Sequence, residues 1–226
     1  MNDRPFKVLM PHAGDLTTAL FAKADDIRRD ADAARAIGAT QATGLHQIHG
    51  GRVIVVRAPT NRVEQADGMI TDVPGLTLCT RWADCQNFVV YAPDRHVVGV
   101  IHAGWRGILA GVIPEFFRVL NTEWGIEGKD VLVGAGPSLC VRCSEFTDPR
   151  TELPGFPSDL IDGRTADLRA AADRQFASCG VPLTSLERHA DCTRCAPDRY
   201  WTYRGGHRDE VKAGHTNMHA CVLRGN

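Results

Sequence analysis

Between residues 52 and 135 the apolar positions fall in short, β-branched runs separated by turn residues, a pattern that predicts strands. The runs are Arg52 to Arg57, Ala66 to Thr71, Leu76 to Thr80, Asn87 to Tyr91, His96 to Ile101 and Asp130 to Ala135. Asp72-Val73-Pro74-Gly75 and Ala92-Pro93-Asp94-Arg95 supply turn chemistry between neighbours, and the second predicts a hairpin. Elsewhere the spacing is helical. Leu16, Leu20, Ile27, Ala31, Ala34 and Ile37 predict a surface helix over 15–37, broken near Lys23 and stopped by Gly38. Ile108, Val112, Phe116, Val119 and Leu120 predict a helix over 105–124, kinked at Pro114, and Leu168, Ala172 and Phe176 an amphipathic helix over 165–178. Pro149 to Pro157 reads as a loop. The expected fold class is α+β: one domain over 1–226, with a mixed β-sheet core flanked by helices.

The chemistry sits where these runs end. Cys85 lies just before the first strand of the hairpin and His102 just after the second, so an antiparallel register makes them neighbours in space. A thiolate beside an imidazole supports a cysteine nucleophile with a histidine base, or part of a zinc site. A third ligand decides between them. The candidate is His49, in Leu45-His46-Gln47-Ile48-His49-Gly50-Gly51, ahead of the Arg52 to Arg57 run. Two histidines and one thiolate with an open fourth position form the catalytic zinc pattern, placed at strand ends.

The same residues carry a resemblance. Gln47-x-His49-Gly50, Ala66-Asp67-Gly68-Met69-Ile70-Thr71, Ala83-Asp84-Cys85, His102-Ala103-Gly104-Trp105-Arg106-Gly107 and Gly136-Pro137-Ser138 occur in one order. Together they resemble the laccase-domain family, first called multicopper polyphenol oxidoreductases and later recognised as purine nucleoside phosphorylases. The resemblance runs from about Gln47 to Tyr203 and implies zinc on His49, Cys85 and His102. It also implies cleavage of adenosine, inosine or methylthioadenosine by phosphate, with adenosine deamination as a further family activity. Three alternatives stay open: a copper-dependent polyphenol oxidase, a cysteine hydrolase using Cys85 and His102, and a non-catalytic zinc-binding paralogue. Copper oxidation would need several more histidines than these motifs provide.

Other residues have two readings each. Asp84 is a general acid or base, or a group that holds a metal ligand in place. Gln47 touches substrate or caps its loop. Trp82 and Trp105 stack on a flat ring or fill the core, and Asp67 reads as no more than a turn residue. Arg106, at the start of the 105–124 helix, is an anion binder that would hold phosphate with the helix N-terminus, or a surface charge. Cys192-x-x-Cys195 with His215-x-x-x-His219 offers a second, structural zinc, or else a packed cysteine pair. The N-terminal region lacks the Gly-Gly-x-Ser segment and Asn-Leu pair of the resembled family, and Gly214-His215 stands where that family has Gly-Arg.

Composition narrows the partners. At 226 residues and 43% hydrophobic content the chain can bury an ordinary core, and a formal charge of −1 carries no footprint for nucleic acid or anionic membrane. A small-molecule nucleoside and phosphate are the expected partners. Neither a signal peptide after Met1 nor a membrane-length apolar run is visible, so the expected location is cytoplasmic. In that reducing compartment the eight cysteines read as buried residues or metal ligands before disulfides.

Overall fold

The computed structural model describes residues 1–2 and 5–225. Asp3 and Arg4, part of the stretch read for a leader, and Asn226 lie outside the described residues.

The hairpin forms at the centre of the fold. Strands β6 (Gln86–Ala92) and β7 (Val97–Ala103) pair antiparallel from Gln86↔Ala103 to Ala92↔Val97, joined by a 3-10 turn at Pro93–Arg95. Around it, β3 (Val53–Val55), β4 (Gly68–Thr71), β8 (Leu132–Ala135) and β11 (Leu186–Arg188) complete a six-stranded mixed sheet in the order β11-β8-β6-β7-β4-β3. A second mixed sheet, β1-β12-β5-β2, comprises β1 (Leu16–Phe21), β2 (Gln41–Gly44), β5 (Leu76–Trp82) and β12 (Asn217–Leu223). The α+β class holds, with two packed sheets where one was expected.

The layers explain why the strands read as continuous apolar runs. Side chains alternate between faces, and both faces of the six-stranded sheet are buried. Phe88, Val90 and Ile101 face one core with Phe116 and Phe176, whereas Val89, Val98 and Val100 meet Leu20, Leu78 and Trp82 of the second sheet. The outer face of the second sheet buries Phe21, Met218 and Ala220 against Ala33, Ala34 and Ile37. Gly99 leaves the space that the Phe116 ring occupies.

Helices α2 (Trp105–Leu109), α3 (Val112–Trp124) and α5 (Leu168–Ser178) cover the six-stranded sheet, and α1 (Asp30–Ala36) covers the other. The remaining elements are short: α4 (Pro149–Glu152), the pair β9 (Ile161–Asp162) and β10 (Thr165–Ala166), and α6 (Arg208–Lys212).

Four expectations change, the smallest being the loop expected over 149–157, which opens on the four-residue helix α4. The helix expected over 15–37 is a strand followed by the short α1, because Leu16–Phe21 is buried on nearly every position and pairs with β12 from Leu16↔Leu223 to Phe21↔Met218. Tertiary pairing overrides helical spacing there. The helix expected over 105–124 is two helices, broken at Ala110-Gly111 where Gly111 takes φ 73°. Pro114 then falls in the first turn of α3, where its missing N–H removes no helical bond, so no kink is needed. The helix over 165–178 starts at Leu168, where the Asp167 side chain accepts the Ala170 N–H at 2.9 Å.

Candidate metal centre

His49 lies in the loop that follows β2, and its backbone takes φ 60°, uncommon for a side chain of this size. That turn closes on a carboxylate. The wholly buried Asp67 accepts the successive N–H groups of Ile48 (3.2 Å), His49 (3.0 Å) and Gly50 (2.7 Å). Asp67 also lies 2.9 Å from His102 Nδ1 and, through its backbone oxygen, accepts the His102 N–H at 2.7 Å. An Nδ1–H donated to Asp67 leaves the Nε2 lone pair of His102 available to a cation.

Strand register delivers the other ligand. Gln86↔Ala103 is the last pair of the hairpin, so Cys85 and Gly104 lie just beyond it. A Cβ at Gly104 would stand 2.9 Å from Cys85 Sγ and 3.1 Å from His49 Cδ2, so only glycine leaves this corner free. The His49 and His102 rings stand 4.9 Å apart at 83°. His49, Cys85 and His102 each offer one ligand atom, all within 4.8 Å of one another. This donor set, with a carboxylate behind one imidazole, fits a tetrahedral zinc or copper ion.

The electrostatics agree with that fit. Burial alone would push the Cys85 thiol up, but the charge of His102 and hydrogen bonds from both histidines bring it down to about 6. Burial would lower His102, yet the Cys85 thiolate and Asp67 raise it to about 9. Asp67 is held below the usual carboxylate range, because contacts from His102 and the loop N–H groups outweigh its burial. These opposed shifts favour a thiolate beside a protonated imidazole in the metal-free centre, and a cation would displace that proton.

The centre opens into a cavity of about 930 Å³, lined in part by Gln47, Trp105, Tyr203 and several cations. Arg62 is committed to Asp30 through two contacts of 2.7 Å, and Arg81 to Arg28 O and Asp30. Arg106, stacked 4.3 Å from the Trp105 ring, and Lys212 have no carboxylate partner among the described residues. The profile of the multi-copper polyphenol oxidoreductase laccase family matches residues 21–222.

The chain belongs to this family.

Among curated relatives, a purine nucleoside phosphorylase of Streptomyces coelicolor is 34% identical over 182 residues, covering 76% of this chain and 74% of the relative. One of Bacteroides thetaiotaomicron is 31% identical over 148 residues, 61% of this chain. That match spans only 55% of the Bacteroides protein's own length. The crystal structure of YlmD from Geobacillus stearothermophilus superposes with a TM-score of 0.74 at 22% identity, covering 93% of this chain and 91% of the other.

Within this laccase-family site the remaining sequence candidates separate. Gln47 spends both ends of its amide on β5: Nε2 donates to Arg81 O at 2.7 Å and Oε1 accepts the Arg81 N–H at 2.9 Å. Asp84 takes φ 86° and accepts the Thr193 and Thr202 hydroxyls, each at 2.6 Å, and the Arg204 N–H at 2.7 Å. It anchors the C-terminal loop to the pocket and holds no metal ligand. The carboxylate that contacts a candidate ligand is Asp67, which the sequence shows only as a turn-type residue in the Ala66 to Thr71 run. Trp82 is core, 2% exposed, and Trp105 is half-buried against the Phe146 ring. Lys212, on the cavity wall, had no sequence signal.

Arg106 starts a helix of only five residues, so the charge of its guanidinium, more than a helix end, is what this position brings to the cavity. His215 and His219 do not join Cys192 and Cys195. His219 is buried between Thr18 Oγ1 (2.9 Å) and Asn87 Oδ1 (3.0 Å), and His215 packs on Trp201.

Proposed function

We propose that the chain is a zinc-dependent purine nucleoside phosphorylase acting on adenosine, inosine or methylthioadenosine. The observation that carries the reading is the opening of the His49, Cys85 and His102 cluster onto a cavity whose wall bears Arg106 and Lys212. The names of the Streptomyces and Bacteroides relatives support the substrate class. Phosphorolysis forms a bond from a phosphate oxygen to the ribose C1′, breaks the N-glycosidic bond and leaves its electron pair on the purine, which takes up a proton. Arg106 and Lys212 bind and orient the phosphate, countering its charge as it approaches C1′. Asp67 keeps His102 in one tautomer and fixes the His49 loop, and Asp84 holds the loop that carries Tyr203 and Arg204 against the mouth. Bound zinc would be held by His49, Cys85 and His102 and would supply Lewis-acid polarisation or an activated water.

The deciding experiment incubates zinc-loaded protein with each nucleoside, with and without phosphate, and identifies the products. Phosphate-dependent release of free base is expected. Ammonia release independent of phosphate would mean adenosine deamination, and nucleoside binding without turnover a non-catalytic paralogue.

A second reading has an observation of its own. Asp67, His102 and Cys85 stand in the order of a carboxylate, a base and a thiol nucleophile, the arrangement of a cysteine hydrolase. Activity that survives chelation, with covalent labelling of Cys85, would select it. Copper-dependent phenol oxidation has less support, because among the described residues the only other metal-competent group is four cysteines. Oxygen uptake with a phenol by copper-loaded protein, absent with zinc, would favour it.

A further inference from the structure

Two Cys-x-x-Cys turns, far apart in sequence, meet beside the cavity. Cys140 and Cys143 flank a 3-10 turn after β8, while Cys192 and Cys195 flank a turn in the C-terminal loop. The four sulfurs all lie within 4.8 Å of one another. Cys143 Sγ and Cys195 Sγ are 3.5 Å apart, and Cys140 Sγ and Cys195 Sγ 4.0 Å. A disulfide would bring two sulfurs to about 2.05 Å, whereas a tetrahedral ion with arms of about 2.3 Å sets its four sulfurs about 3.8 Å apart. The observed separations straddle the second figure.

The surroundings suit a charged tetrathiolate. The Cys140 N–H donates to Cys192 Sγ at 3.2 Å, a contact that favours a thiolate acceptor. Arg142 and Arg194 lie inside the two turns. Arg169 ties the two segments together at their bases, donating to Ser138 O and Asp191 O, each at 2.6 Å. Backbone pairing between Ser138 and Cys192 continues that join.

We propose that Cys140, Cys143, Cys192 and Cys195 bind one structural zinc ion that staples the segment after β8 to the C-terminal loop. Four thiols take one Zn²⁺ and release four protons, leaving a site of charge −2. All four positions are filled by protein, so the site is closed to substrate. Its effect on the cavity is indirect: Thr193, inside one turn, and Thr202 and Arg204, just after it, are the three donors to Asp84. The proposal is independent of the phosphorylase reading.

The test measures zinc per chain and the cobalt(II) spectrum in the wild-type protein, its Cys85→Ala variant and that variant with Cys140→Ser and Cys195→Ser added. Cys85→Ala should keep one ion per chain with intense thiolate-to-cobalt charge transfer, and the added substitutions should remove it. Wild type should hold two ions if His49, Cys85 and His102 also bind zinc, and one if they do not, so failure at either site is distinguishable. If a variant does not fold, wild-type protein alone decides through its tetrathiolate cobalt spectrum and thiol titration. Absence of metal from Cys85→Ala, absence of that spectrum from wild type, or a mass two hydrogens short with two thiols missing from the titration, would overturn the proposal.

Discussion

The two ligand clusters, one of three residues and one of four, are opposite in construction. His49, Cys85 and His102 come from a loop and two strand ends, and a buried carboxylate fixes two of them. Gly104 keeps their fourth corner clear, and the cavity begins there. Cys140, Cys143, Cys192 and Cys195 come from two surface turns with backbone partners and no vacant corner. An open set of mixed ligands can hold a metal that meets a guest; four thiols can only hold pieces of chain together. The difference lies in what stands behind and in front of the ligands, more than in the ligands themselves.

The sharpest break in that contrast is at Cys85. Cys85→Ala should abolish activity and remove the metal of the first cluster, and it should melt close to wild type only when both are compared stripped of metal, as metal analysis and calorimetry would show. Asp67→Asn should follow, lowering metal affinity or turnover about 10–100-fold. It keeps the shape of the side chain but removes the charge that His102 and three N–H groups address. Normal affinity in that variant would mean that the buried carboxylate serves only the loop.

Asp84→Ala should behave in the reverse manner. It strands two buried threonine hydroxyls and a backbone N–H, a loss of about 3 kcal/mol in stability, and frees the C-terminal loop. Metal should stay on His49, Cys85 and His102, because the Asp84 carboxylate hydrogen-bonds to none of them. Gly104→Ala should act in the opposite place with a smaller effect. Gly104 has φ −71°, open to any residue, so the backbone tolerates the change. The added methyl crowds Cys85 Sγ and should weaken metal binding by about 1–3 kcal/mol, visible by titration with no shift in fold.

How much of this could be read from the chain depended on how local the cause was. The hairpin was legible because two β-branched runs and a proline turn specify it with little help from elsewhere. The ligand cluster followed, since strand register alone puts Cys85 beside His102. β1 and β12 were not legible. Leu16 to Phe21 has helical spacing by accident, and Asn217 to Leu223 has only the short apolar run Ala220 to Leu223, with no turn signal to pair it with a neighbour. They are strands because each supplies the other's hydrogen bonds. Asp67 looked like a turn residue, as its four partners come from residues 17 to 35 positions away. The pair Cys192 and Cys195 was read with the downstream pair His215 and His219, whereas its partners lie about 52 positions upstream, across a contact that only the folded chain makes.

His219, once a candidate ligand, gives the last and smallest test, because it separates acid effects on the fold from acid effects on the metals. Burial pushes it down to about 3, so it stays neutral between Thr18 and Asn87 while the unfolded chain protonates near 6.5. The unfolded state therefore binds one more proton between those values. The stability of the neutral, buried ring is complete above about pH 6.5 and falls with acidity by about 1.4 kcal/mol per unit until about pH 3. Urea unfolding of metal-stripped protein between pH 5 and 6.5 should show this slope, and His219→Gln should reduce it by about one proton whatever its absolute stability. An unchanged slope would mean that the imidazole is charged inside the sandwich, and that its two partners bind it as a cation.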